Sequence, residues 1–249
     1  MAKHRASDQY EHEGLAEFYD LNRTERLDFK FCKSLAIQAS SALDLGCGTG
    51  GLATELAKTA RVTGVDPAKA MLDIARARDG GNAVTWVEAD AESVRLGERF
   101  DLIVLTGHAF QVFLTKEQQL AVLTTIAWHL NPNGRFILDT RNPSYPGRKE
   151  RTKGATLHRI EHPEYGPVEK SNESSFDKAT GILTYSNIYR ILRTGEVRSA
   201  QDRIRYTSQT DLTEMIASAG LRVERWMGDW SGLAFEPGSK KIIPLGRLM

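Results

Sequence analysis

The chain has 249 residues, of which 41% are hydrophobic, enough for the core of one α/β domain with or without an insertion, and a formal net charge of +1. That balance excludes a global field that would draw the protein to nucleic acid or to an anionic membrane. Two cysteines, Cys32 and Cys47, make neither a disulfide framework nor a cysteine-rich metal site, and without a leader-like segment at Met1 to Glu13 or an apolar run of about 18 residues the expected setting is cytoplasmic, with no membrane span.

Leu15, Phe18, Tyr19, Leu27, Phe31 and Leu35 recur at helical spacing and predict a helical cap over residues 1–40. Strand-like and helix-like segments then alternate. Ala42 to Leu45, Val62 to Val65, Val84 to Val87 and Phe100 to Leu105 read as buried strands, and Leu52, Leu56 and Ala57 give the first intervening helix its inner face. Pro67 is expected to start a helix over Ala68 to Arg78. A further helix over Thr115 to Leu130 should stop at Asn131-Pro132-Asn133-Gly134, ahead of a strand over Arg135 to Asp139. This βαβα order predicts an α/β fold, with a doubly wound parallel sheet over residues 41–145.

After Asn142-Pro143 the pattern changes. Thr156 to Glu161, Val168 to Phe176, Leu183 to Leu192 and Val197 to Thr207 are strand-like runs separated by turn signals, which predicts an antiparallel meander inserted as a lid over residues 146–208. Residues 209–249 should complete the core with a helix over Asp211 to Ala219, capped by Gly220, and strands Leu221 to Trp226 and Lys240 to Leu245.

Within Leu43-Asp44-Leu45-Gly46-Cys47-Gly48-Thr49-Gly50-Gly51, glycines allow a sharp turn and a close approach of ligand to backbone, between a strand and a helix start. Asp66, 20 residues beyond Gly46, ends the next strand, where a carboxylate can accept both ribose hydroxyls; the competing reading is a cap for the helix begun by Pro67. Gly46-x-Gly48-x-x-Gly51 also fits the dinucleotide fingerprint, so an NAD-dependent oxidoreductase is the alternative. Asp44 separates the two. A carboxylate beside a pyrophosphate has the wrong sign, whereas it favours a phosphate-free ligand that carries a sulfonium and an ammonium.

The D-L-G-C-G-T-G loop, G-V-D-P-A-K-A-M-L at Gly64 to Leu72, E-A-D-A-E at Glu88 to Glu92, F-D-L-I-V-L at Phe100 to Leu105 and L-N-P-N-G-R-F at Leu130 to Phe136 together resemble the class I S-adenosylmethionine-dependent methyltransferases. The resemblance implies a Rossmann-like seven-stranded sheet whose last strand is antiparallel, with S-adenosyl-L-methionine across the carboxyl ends of the first four strands and S-adenosyl-L-homocysteine as product. Asp44, Gly46, Cys47, Gly48 and Thr49 would face the methionine part and Asp66 the ribose. Pro67, Ala68 and Met71 would adjoin adenine and ribose, with Asp90, Ala91 and Glu92 near the adenine amino group. Thr106, Gly107 and His108 would floor the sulfonium, and Tyr19, in Glu17-Phe18-Tyr19-Asp20, resembles an N-terminal aromatic that closes over the cofactor.

Methyl transfer from a sulfonium is an in-line displacement in which positioning alone supplies much of the catalysis, so a base is optional. His108 is the titratable side chain expected at the reaction centre, as a general base or an orienting group, with Gln111 either beside it or on a helix surface. Thr106-Gly107-His108-Ala109-Phe110 lacks the Asn/Asp-Pro-Pro-aromatic segment of adenine-N6 enzymes, the cysteine of cytosine-C5 enzymes and the acidic ligand of metal-dependent catechol enzymes, so no metal is expected. The basic residues Arg141, Arg148, Lys149, Arg151, Lys153, Arg190, Arg193, Arg198, Arg203 and Arg205 are interleaved with acids, which favours a solvated sheet surface over an RNA track. An arginine directed into the pocket would imply an acidic acceptor. Tyr185, Tyr189, Trp226 and Trp230 are candidate pocket aromatics or core residues. The insert and Gly228-Asp229-Trp230-Ser231-Gly232 resemble the small-molecule branch that includes glycine and amino-sugar N-methyltransferases, which implies a small acceptor with an amine slightly ahead of a hydroxyl. Open lid edges suggest a homodimer. The reading from a different class is a cofactor-binding protein without catalysis.

Overall fold

The structure is a computed structural model that describes residues 13–21, 26–146 and 151–249. Arg148, Lys149 and Glu150 of the loop after Asn142-Pro143, and residues 1–12, where no leader was expected, lie outside the described residues. The chain runs α1 (Glu13–Ala16), α2 (Leu27–Ala36), β1 (Ser41–Leu45), α3 (Gly51–Leu56), β2 (Arg61–Asp66), α4 (Lys69–Ala77), β3 (Val84–Glu88), β4 (Phe100–Leu105), α5 (Lys116–His129), β5 (Leu130–Leu138) and β6 (Thr140–Arg141). It continues through α6 (Lys153–Thr156), β7 (His158–His162), β8 (Gly166–Asp177), β9 (Ile182–Ile191), β10 (Val197–Arg205), α7 (Gln209–Ser218), β11 (Leu221–Met227) and β12 (Lys241–Leu248).

The main sheet has the order β3-β2-β1-β4-β5-β12-β11, and β12 alone runs antiparallel to its neighbours. The two-residue β6 continues the line of β5 along β12. All five residues of β1 are buried, as expected of a central strand covered on both faces. Leu43 and Leu45 face a cluster with Val122, Leu123 and Ile126 of α5 and Leu212 and Ile216 of α7. Ala42, on the opposite face, packs with Cys32 and Ala36 of α2 and Leu52, Ala53 and Leu56 of α3. Strand order reverses between β1 and β4, so their loops part there and open a crevice at the carboxyl edge.

Three local expectations change. The Asn131–Gly134 stretch is strand, since Leu130 pairs with Phe100 and the register then shifts by a bulge before Arg135 pairs with Leu102. A Cβ on Gly134 would lie 2.8 Å from the Phe100 carbonyl oxygen, which is why glycine fits that bulge. Pro67 does not occupy the first helical position, because the N-cap of α4 is Ala68. The N-terminal cap is also not wholly a cap on the core: α2 packs on α3, but Leu15 and Phe18 belong to the cluster of the second sheet.

That second sheet is an antiparallel meander in the order β10-β9-β8-β7, separate from the parallel core as its short turns predict. Its register places Asn172, Asn187 and Ala200 in one cross-strand row, Ser174, Tyr185 and Asp202 in the next, and Phe176, Leu183 and Ile204 in a third, all on one face. At the other end of the same face Ile160, Val168, Tyr189 and Ile191 close around Leu15 and Phe18. The Phe18 ring stacks on Tyr189 at 4.4 Å between centroids.

Candidate active site

A cavity of about 1140 Å³ lies between the carboxyl edge of the main sheet and the second sheet. Of the residues expected at the cofactor, Gly46, Gly48, Asp66, Pro67, Ala68 and Met71 line it from the first two loops, and Asp90 and Ala91 from the third. Thr106, Gly107 and His108 line it after β4, and Tyr19 reaches it from the N-terminal segment.

The glycine turn is pinned from behind. The Gly46 and Cys47 N–H groups both donate to the Val65 carbonyl, at 2.8 and 3.0 Å, so the end of β2 sets the bend. Gly48 has φ +52°, and a Cβ there would meet nothing within 4 Å, so its bare backbone faces open space. Gly50 has a different reason to be glycine than packing of helix on strand alone, since a Cβ would lie 2.4 Å from the Trp86 ring.

Asp66 braces the turn and stands at the rim. Its Oδ2 accepts the Gly48 N–H and its Oδ1 the Ala68 N–H, each at 2.9 Å. The Ala68 bond is a turn two residues on; α4 has no side-chain cap, so the capping reading of Asp66 is corrected. Burial pushes its carboxyl above the ordinary range, against those two N–H groups. Each oxygen keeps a lone pair beyond the backbone bond, the arrangement that two ribose hydroxyls require. Asp66→Ala is expected to weaken S-adenosylmethionine binding by ~1.5–3 kcal/mol, measured by calorimetry; unchanged affinity would confine Asp66 to bracing the loop.

Four expected cofactor residues do not line the cavity. Strand alternation sends the Asp44 side chain to the α2–α3 face, where it is 2% exposed. Cys47 lies behind the loop against Gly64, and burial, with Asp44 and Asp66, holds its thiol well above the usual range. Thr49 donates through its hydroxyl to Asp20 at 3.2 Å, and Glu92 accepts from Gln118 of the α5 N-terminus at 3.1 Å. Both serve to fasten the loops.

Asp20 also pairs with the Arg78 guanidinium, whose Nε donates to the Thr49 carbonyl at 2.8 Å. Three residues earlier, Glu17 accepts from Arg198 of β10 at 2.5 Å and from the Tyr165 hydroxyl at 3.1 Å. The segment around Tyr19 thus straps the glycine loop to the second sheet.

At the far end of the cavity His108 has φ +66°, a conformation uncommon outside glycine. It is held there because its N–H donates to Asp139 Oδ1 at 2.9 Å. Its Nδ1 is 2.7 Å from Asp139 Oδ2, an electrostatic contact off the direction of a ring hydrogen bond. Nε2 is 3.0 Å from Lys241 Nζ, which is itself 3.0 Å from Asp139 Oδ2. Burial lowers the His108 pKa; Asp139 opposes this, while Arg141 and Lys241 add to it. The Asp139 carboxyl is fully buried, which raises its pKa, yet His108 and Lys241 outweigh burial and hold it far below the carboxylate range. Nε2 of His108 therefore meets the Lys241 ammonium, while Nδ1 faces Asp139 through charge without an aligned hydrogen bond.

Gln111 is neither beside His108 as a partner nor on a surface. It is fully buried, donates to the Arg205 carbonyl of β10 at 3.1 Å and accepts from Arg141 Nη1 at 2.9 Å. Arg141 lines the cavity and forms no ion pair among the described residues. Of the candidate aromatics only Tyr185 lines the cavity, joined by Tyr145 and Tyr206. Tyr189 is core to the second sheet, Trp226 packs on the main core and Trp230 lies against Phe31. Among the basic residues of the insert and the loop before it, Arg141, Arg151 and Arg203 line the cavity, whereas Arg205 donates to the Leu114 carbonyl at 2.9 Å, Arg190 lies 4.0 Å from Glu169 and Arg198 pairs with Glu17 and Glu196.

The residues around the turn fit S-adenosylmethionine and disfavour a dinucleotide. Asp66 binds the Gly48 N–H of the turn and Asp20 the Thr49 hydroxyl, which puts carboxylates beside it, a favourable setting for a sulfonium and an ammonium and a poor one for a pyrophosphate. Residues 42–134 match the family model of the methyltransferase domain. A cypemycin N-terminal methyltransferase from a Streptomyces species is 24% identical over 83% of this chain and 82% of its own. A malonyl-[acyl-carrier protein] O-methyltransferase from Anoxybacillus flavithermus is 31% identical over 48% of this chain, which spans only 46% of that relative. The solved structure of the CcbJ methyltransferase from Streptomyces caelestis superposes with a TM-score of 0.81 at 23% identity, over 97% of this chain and 98% of its own. The sheet order, the pinned glycine turn, the rim carboxylate and the domain match agree: residues 42–134 match a methyltransferase domain, and the chain as a whole has the class I methyltransferase fold.

Proposed function

We propose that the protein transfers the methyl group of S-adenosylmethionine to a small-molecule acceptor that carries an acidic group, with an amine nucleophile ahead of a hydroxyl. One observation carries this: a single cavity of about 1140 Å³ joins Asp66 and Gly48 at one end to His108 and Arg141 at the other. Single-ligand sites usually occupy ~300–1,000 Å³, so the space suits a cofactor together with a second small molecule. The second sheet, the proposed lid over residues 146–208, walls the acceptor end with Asn172, Tyr185 and Asn187. In this reading Gly46, Gly48, Asp66, Pro67, Ala68, Met71, Asp90 and Ala91 hold the cofactor and Thr106, Gly107 and Tyr19 surround the reacting carbon.

Arg141 supports the acidic acceptor. Its guanidinium is part-buried, aimed by a neutral Gln111 carbonyl and without a carboxylate partner among the described residues, so a carboxylate in the cavity would satisfy it in the planar geometry arginine favours. Arg141→Met is expected to raise the acceptor KM by ~10- to 150-fold with cofactor affinity unchanged, read from steady-state kinetics and calorimetry. The cypemycin relative is named for transfer to an N-terminus, which accords with an amine.

Turnover with labelled donor against amines bearing a carboxylate, hydroxy acids and tRNA tests the assignment. Labelling of tRNA alone would overturn it, and selective binding of NAD in calorimetry would return the oxidoreductase reading. A homodimer joined along β7, one of the two outer strands of the lid, predicts a molecular mass in light scattering twice that of the chain.

A further inference from the structure

Lys241 begins β12, the antiparallel strand, so its N-terminal end arrives where β4 and β5 end. An ammonium has three N–H donors and no lone pair. At the 3.0 Å contact with His108 Nε2 the lysine therefore donates and the ring accepts. A neutral imidazole that accepts at Nε2 carries its proton on Nδ1, the nitrogen 2.7 Å from Asp139 Oδ2. Lys241 donates a second N–H to that same carboxylate oxygen at 3.0 Å. Two of its three donors are engaged, and the residue forms part of the cavity wall.

We propose that Lys241, together with Arg141, touches the methyl acceptor, donating its third N–H to an anionic oxygen beside the nucleophilic atom, and that His108 and Asp139 are its positioning residues. The proposal rests on methyl transfer at this site. His108 cannot take a proton from the acceptor while its Nε2 lone pair holds the lysine. The charged groups facing His108 are Asp139 beyond β5, Arg141 on β6 and Lys241 on β12, a set with one net positive charge, which suits an anionic acceptor and favours entry of its amine in the neutral form. A neutral amine gives its lone pair to the methyl carbon, the carbon–sulfur pair stays on sulfur, and the surplus proton of the methylated ammonium leaves to water. No protein base is required.

Long-range proton–nitrogen NMR of the full chain labelled in histidine nitrogen reads the tautomer without a variant. The expected result at pH 8 is His108 with its proton on Nδ1, and a shift of population toward Nε2–H in Lys241→Met. In kinetics with a carboxylate-bearing amine, Lys241→Met is expected to raise KM by ~10- to 150-fold, with partial rescue in Lys241→Arg and a smaller loss in His108→Asn, whose amide oxygen can still accept from the lysine. Calorimetry with S-adenosylhomocysteine reports whether each variant keeps its folded cofactor site. An Nε2–H tautomer in the unaltered protein would overturn the proposal, as would a larger loss in His108→Asn than in Lys241→Met; either result with cofactor binding intact leaves methyl transfer standing. Absent cofactor binding in the unaltered protein would instead defeat the proposed function.

Discussion

Asp139→Ala is expected to destabilise the fold by about 3–5 kcal/mol, the range for stripping one partner from a buried ionic set. Asp139 has no exposure, and its two oxygens take the His108 N–H, the Lys241 ammonium and the His108 Nδ1 contact. Without it a part-buried ammonium loses its counter-charge, and the left-handed backbone at His108 loses the bond that holds it. The pH dependence has a definite sign. The folded carboxyl titrates far below its unfolded value of ~3.9, so the stabilisation is complete above that value and is lost as pH falls through the folded one. Urea midpoints at pH 7.5 should therefore differ strongly between the two proteins, and the gap should narrow in strong acid. Asp139→Asn, which keeps shape and one acceptor, should lie between them. A difference under about 1 kcal/mol at pH 7.5 would show that water or rearrangement replaces the carboxylate.

Strands were legible where they are covered on both faces. β4 reads as a continuous apolar run, and β1 and β2 as short buried strands, because helices pack on each side, and α5 starts where it was expected, at Thr115, whose hydroxyl accepts the Gln118 N–H at 3.2 Å. Asp66 was legible as a rim residue because a carboxylate at the end of a parallel strand has one place to go. The same logic holds for Asp139, which ends the line of β5. Lys241 carried no such signal. Its place depends on the reversal of β12, which brings the start of a strand to the edge where all the others finish.

Illegible positions share a cause, namely contacts between residues far apart in the chain. Thr49 looked like a ligand contact until Asp20, 29 residues away, claimed its hydroxyl, and Gln111 looked like a surface residue until Arg205, 94 residues on, claimed its amide. Phe18 sits at helical spacing with its neighbours, yet it packs with Tyr189 of the second sheet. Periodicity tells which face of an element is apolar and leaves open which layer that face meets.

Asp44→Asn is expected to stabilise the cofactor-free protein at pH 8 and to leave it nearly unchanged at pH 4. The Asp44 carboxyl is raised to about 7, first by burial and next by the neighbouring Asp66, with the Ala53 amide and Arg26 opposing. Its Oδ2 is buried without a hydrogen-bond partner. Below an unfolded value of ~3.9 the group is neutral in both states and costs nothing. As pH rises from there toward 7 the unfolded chain ionises while the folded one resists, so stability falls across that window and levels off above it. Three units of displacement correspond to an upper bound of ~4 kcal/mol, of which relaxation and entering water remove part. An amide of the same shape has no charge to bury, so the gain should appear only on the alkaline side of the window, as a higher unfolding midpoint at pH 8 than the unaltered protein. A protein with Asp44 intact that proves the more stable at pH 8 would mean that its charge is compensated in solution, with Arg26 the nearest cation able to do so.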